Sequence, residues 1–372
     1  MFEWILDPNS IPFWLLIIAL ILGAAAILAR PLFTYMKFVY PNAKFEAMGN
    51  PYIHEKELIG LLEQKDLTSF IETVNASKNY IIIGEDITAI QKSFDTHLLQ
   101  TVTMMKNDSS KKLNTFYDLY LEKIDISLIK KTLKSILLGE KHEIDPTKAL
   151  HPNTKALLER LRDVSKENLP KILSDHGFDS TVIEALSVND LDLLVIDTEL
   201  DKAFLNKLTH VRVPYKCEQA KQRYVQQMID ILNIKHLIRA KHLGYDTETC
   251  KKIFLGPGQH IAPWKYQQMA EAEQIPQIIT LLEGTVYFSA LNTALEQYTK
   301  NTSVQYFETA LDSLFLRLIR DISHQNYATF GPTLRFLVSK EFEIQNLKVI
   351  TKSLAELLPV EFTKHYIVLE AD

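Results

Sequence analysis

The chain has 372 residues, 47% of them apolar and 23% charged, with a formal net charge of −5. That composition is globular rather than disordered, and the length allows two or three units. The mild acidity gives no general attraction for nucleic acid, two cysteines cannot form a disulfide framework, and eleven glycines are few for phosphate-cradling or hairpin-rich folds.

The first element is an apolar run from Ile11 to Ala29, uninterrupted by charge. At about 1.5 Å per residue it reaches roughly 28 Å, close to the roughly 30 Å hydrocarbon core of a bilayer. Trp4 and Trp14 flank one end, where indole rings favour the interface, and Pro12 stands where a helix has no N–H to lose. A cleaved signal needs a basic leader. Here Glu3 and Asp7 precede the run and no Lys or Arg does, whereas Arg30, Lys37 and Lys44 follow it. The spacing of cations predicts a retained anchor in the cell membrane, with the remainder on the cytoplasmic side.

Beyond residue 50 apolar residues recur every three or four positions, as in Leu58, Leu61, Leu62, Phe70, Ile71 and Val74, which predicts amphipathic helices. Further helices are predicted over 154–161, 181–186, 269–282 and 304–319. Breaks fall at Asn50-Pro51, Asp145-Pro146, His151-Pro152, Gly256-Pro257-Gly258 and Gly331-Pro332. The β-like runs 80–83 and 193–196 read equally as buried helix turns. Without strand–helix alternation a parallel sheet is not expected.

One helical block occurs three times. Aligned on Asp125, Asp230 and Glu343, it has isoleucine next (Ile126, Ile231, Ile344), Ile129, Ile234 and Leu347 four places on, and lysine five on (Lys130, Lys235, Lys348). Nine places on come Lys134, Arg239 and Lys352. An earlier landmark, Phe94-Asp95, Leu200-Asp201 and Leu311-Asp312, repeats with a similar period. The acids lie 105 and 113 residues apart and the landmarks 106 and 111, a period long enough for each copy to carry its own core. The expected organisation is a membrane anchor over 1–33 followed by all-α lobes over 34–149, 150–255 and 256–372. The isoleucines are expected in the core. The cations five and nine on share a face and are either solvated or candidate contacts for an acidic partner.

Catalytic signatures are missing. There is no phosphate loop and no H-E-x-x-H, and His236 and His242 do not share a helix face that could seat zinc. Neither cofactor nor metal is expected, and the loop at Gly256 to His260 reads as a turn. A membrane-anchored helical scaffold fits these features; a tethered hydrolase would need an active site dispersed through the chain.

The block KEFEIQNLKVITKSLAELLP (340–359), then MIDILNIKHLIRAKHLG (228–244) and the opening YPNAKFEAMGNPYIHEKELIGLLEQ (40–64), resemble the C subunits of archaeal A-type ATP synthases, related to the d subunits of V-type ATPases. The resemblance implies a three-lobed helical funnel or socket without catalytic residues. It also implies a place in the central stalk, between the ion-translocating rotor ring (built of K subunits) and the shaft (the D and F subunits), coupling an ion gradient to ATP synthesis.

Overall fold

The computed structural model of the chain describes residues 8–77, 79–140, 144–187 and 192–370. Trp4, expected at a membrane interface, lies outside the described residues. Among those residues every regular element is helical.

Helix α1 spans Ile11–Met48, well beyond the apolar run. Ser10 caps it, accepting from the Phe13 amide, and Pro12 occupies the first turn. The helix continues through Pro31 and Pro41 before Gly49, at φ 61°, ends it. Its first half is exposed and is the one described helix long and apolar enough to cross a membrane. Its second half docks on the body through Thr34, Phe38, Pro41, Asn42 and Phe45, spaced by three or four residues so that they share a face.

Short helices α2 (Glu55–Leu62) and α3 (Leu67–Ala76) lead to α4 (Ile87–Asp108) and α5 (Asn114–Leu137). Then come α6 (Pro152–Leu161), α7 (Leu169–Asp175), α8 (Ser180–Ser187) and α9 (Leu193–His210). The next long helix is α10 (Glu218–His242), followed by α11 (Thr247–Lys252), α12 (Pro263–Glu271), α13 (Ile275–Leu281), α14 (Phe288–Asn301) and α15 (Gln305–Gln325). Helices α16 (Gly331–Ala355) and α17 (Val360–Lys364) complete the order.

Two segments differ from the periodicity reading. The run 269–282 is broken at Ala272–Gln274, because Pro276 cannot continue a helix and instead opens α13 beside a Gln274–Gln277 capping box. Residues 80–83 form neither a helix turn nor a strand in a sheet, with Tyr80 and Ile82 buried and Ile81 and Ile83 exposed. Side chains replace a ladder there: Ile82 N–H donates to Asn75 Oδ1 at 2.8 Å and Ile83 N–H to Ser93 Oγ at 3.0 Å. The other β-like run, 193–196, is the first turn of α9, capped by Asp192.

Six long helices touch in a closed cycle, α4 to α5, α9, α10, α15, α16 and back to α4. The main core runs through most of this cycle, with Phe94, Phe116, Tyr224, Ile234, Phe307 and Leu347 in its interior. A second core is confined to residues 129–203, where the C-terminal half of α5 and the start of α9 enclose Leu157, Leu158, Leu161 and Leu173. Each such leucine contributes about 1.5–3 kcal/mol by leaving water.

Helix α1 joins the cycle at the ends where α5, α10 and α16 begin. Lys44 pairs with Asp108 at 2.7 Å, Arg30 lies 4.4 Å from the Tyr215 ring, and Asn42 donates to the Tyr327 and Thr329 carbonyls.

Candidate functional site at the helix cycle

The three repeated acids are buried and hold backbone. On α5, Asp125 accepts from the Leu150 and His151 amides at 2.9 and 2.8 Å. On α10, Asp230 accepts from the His260 and Ile261 amides at 2.7 and 3.1 Å, and from the Tyr287 hydroxyl at 3.0 Å. On α16, Glu343 accepts from the Tyr52 amide at 3.3 Å, which ties the end of the chain to its beginning. Burial raises the pKa of all three, and the amide donors oppose it. The loop at Gly256 to His260 is therefore more than a turn: it covers Asp230. The isoleucines differ from one another. Ile231 and Ile344 are buried as expected, whereas Ile126 is half-buried and borders two cavities.

The repeated cations reach the landmark acids. Lys130 on α5 pairs with Asp201 on α9, Lys235 on α10 with Asp312 on α15 at 2.6 Å, and Lys348 on α16 with Asp95 on α4. Each copy thus bonds the landmark of the next, and the third bonds that of the first. One turn on, Lys134 pairs with Asp197 at 2.5 Å and Arg239 with Glu308 at 2.6 Å. In the third copy Gln91 stands where those acids would, and Lys352 turns to Glu356 on its own helix. All six cations thus have partners inside the chain, and Lys134, Arg239 and Lys352 keep exposed side chains. The expectation missed these pairs because the acids are 71, 77 and 253 residues from their lysines. Two repeated columns of opposite charge were the available signal.

Between the helices lies a cavity of about 270 Å³, bordered by side chains of α5, α9, α10, α15 and α16. Lys123 and Glu341 pair at its border at 2.6 Å, with the Tyr120 hydroxyl also on Glu341. Burial raises the carboxyls of Asp201 and Asp312, and Lys130 and Lys235 respectively oppose the rise. The cavity's charges are matched in pairs, and Ile126, Phe204, Ile231 and Phe315 supply an apolar lining. Among the described residues no three metal-ligating side chains converge. Both cysteines are buried, and burial pushes the Cys217 thiol up to about 12, far from a reactive thiolate.

His236, beside Asp201 at 3.8 Å, has its pKa lowered to about 4 by burial and by the neighbouring Lys130 and Arg239. In the unfolded chain it titrates near 6.5. Between these values the unfolded state binds more protons, so this group's contribution to stability is complete above about 6.5 and is lost as pH falls towards 4. Denaturant titrations should show His236→Gln losing less stability than the unsubstituted chain between pH 6.5 and 4.5; parallel losses would remove His236 as the cause.

Comparison with known proteins adds a family. The profile of the ATP synthase (C/AC39) subunit matches residues 41–366. The A-type ATP synthase C subunit of Methanothermobacter thermautotrophicus is 28% identical over 345 residues, covering 90% of this chain and 89% of that protein. The corresponding protein of Methanocaldococcus jannaschii is 29% identical over 82% of this chain and 77% of its own. That of Pyrococcus horikoshii is 24% identical over 90% of both.

Proposed function

The chain belongs to the ATP synthase (C/AC39) subunit family, a non-catalytic structural subunit, and from that premise we propose that it is a central-stalk adapter of a rotary ATP synthase. In this reading it links the membrane rotor ring to the shaft and passes torque between them, so that an ion gradient drives ATP synthesis elsewhere in the complex. The observation that carries the reading is the closed cycle of six helices, tied copy to copy by Lys130–Asp201, Lys235–Asp312 and Lys348–Asp95. Torque needs stiffness, and close-packed helices cross-tied around an axis supply it.

The same pairs suggest three related lobes, built on α5 with α9, α10 with α15, and α16 with α4, forming a socket whose open centre receives the shaft. Helix α1 crosses the membrane, the body lies on the cytoplasmic side, and the end where α1 joins faces the membrane that holds the ring. The partners in this reading are the D and F subunits of the shaft and the K subunits of the ring. Isolation of the intact complex from native membranes tests it: this chain should appear once per complex beside the ring and shaft proteins. Its recovery with the catalytic head alone, or with neither ring nor shaft, would refute the reading.

A further inference from the structure

We propose that loop 211–217, together with Arg30, is a seat for anionic phospholipid headgroups, which fixes the body against the membrane surface. The inference rests on the reading of α1 as a membrane span. Arg30 is the first charge after the apolar run, and its guanidinium lies 4.4 Å from the Tyr215 ring. The Lys216 ammonium lies 5.6 Å from the same ring. The tyrosine is thus flanked by two cations at the level where the apolar run stops, the depth at which tyrosine and basic side chains meet headgroups. The loop before α16 and the end of α4 meet α1 at Asn42 and Lys44, roughly 18–21 Å further along the helix.

Charge complementarity selects the occupant. The six cations of the repeated helices each have a carboxylate partner. Among the described residues Arg30, Lys37, Arg212 and Lys216 have none within salt-bridge distance, and Arg212, Tyr215 and Lys216 are exposed. Glu218, the nearest acid in sequence, is taken by Lys221 at 2.7 Å. Lys216 also holds φ at 68°, a left-handed backbone that a lysine adopts at a cost. What remains is a small, uncompensated positive surface continuous with an apolar helix, and a phosphate-bearing lipid surface supplies both complements.

The test uses the full chain in sealed vesicles. A nitroxide is placed at Gln219→Cys, exposed on the first turn of α10, or at Lys111→Cys in a loop further from the apolar run. Both native cysteines are buried, so labelling is confined to the introduced site. Nickel chelated to lipid headgroups reports proximity by relaxing the label. In vesicles rich in phosphatidylglycerol the label at 219 should be relaxed several-fold more than that at 111. Arg212→Gln with Lys216→Gln should remove most of that difference, and so should salt of about 1 M, which shortens the screening length to about 3 Å. Equal relaxation at the two sites, or relaxation indifferent to both changes, overturns the headgroup seat. If carbonate washing strips the chain from the vesicles, the span reading itself fails. If a photoreactive group at Gln219→Cys in the assembled complex bonds a ring protein and not lipid, the loop is a protein contact and the lipid seat is overturned.

Discussion

Replacing Lys340 by methionine should destabilise the chain by about 3–5 kcal/mol, the usual consequence of removing one partner from a buried ion pair. Lys340 is buried on α16, its ammonium 2.6 Å from Glu343 Oε2 and 5.2 Å from the Tyr80 ring centre. Glu343 has no exposed surface, and burial already raises its pKa. Methionine matches the volume of the lysine stem and leaves a carboxylate without its counter-charge. The deficit should shrink at acid pH, where Glu343 takes up a proton. Adding Glu343→Gln should recover much of it, since the glutamine can still accept from the Tyr52 amide at 3.3 Å. Denaturant midpoints for the two single variants and the double complete the cycle. A double variant that loses the sum of the singles would show that the pair does not act as a unit.

Gly258→Ala should cost about 3 kcal/mol or more. A methyl at this position would sit 2.0 Å from Asp230 Oδ1 and 2.7 Å from the Gln226 carbonyl oxygen. Neither can yield easily, because Asp230 is fixed by two amides and Tyr287, and Gln226 is helix backbone. The loop must lift, and a buried carboxylate then loses its donors. Asp230→Ala is the informative companion: without the carboxylate, the added cost of Gly258→Ala should fall. An unchanged melting temperature for Gly258→Ala would mean that the loop does not press on Asp230.

The parts of the structure legible from the residues were those written within one helix. The apolar run was legible from its length, the amphipathic stretches from a period of 3.6 residues, and the three copies from the long repeat that separates Asp125, Asp230 and Glu343. The cations at +5 and +9 share a face by the same rule. What they face is set by tertiary packing, and Lys348 finds Asp95 from 253 positions away. The role of the acids was hidden too: a buried carboxylate gripping backbone amides has the same local sequence as a solvated one or an N-cap. Ile126 shows the limit of column reasoning, since equal places in three copies meet different neighbours: Ile126 borders two cavities, Ile231 one of them and Ile344 neither. Residues 80–83 satisfied their backbone through Asn75 and Ser93, a solution that no periodicity encodes.

A chain that passes torque as proposed must turn together with the shaft. Gln345 is exposed at the border of the central cavity, and its side chain makes one long hydrogen bond, 3.4 Å to Glu341. In the complete complex, a short cross-linker on Gln345→Cys should join this chain to a shaft protein. ATP-driven ion pumping should persist after the bond forms, because two parts of one rotor move together. A cross-link to the shaft that stops pumping, or one that forms only to a stationary part of the complex, would contradict it.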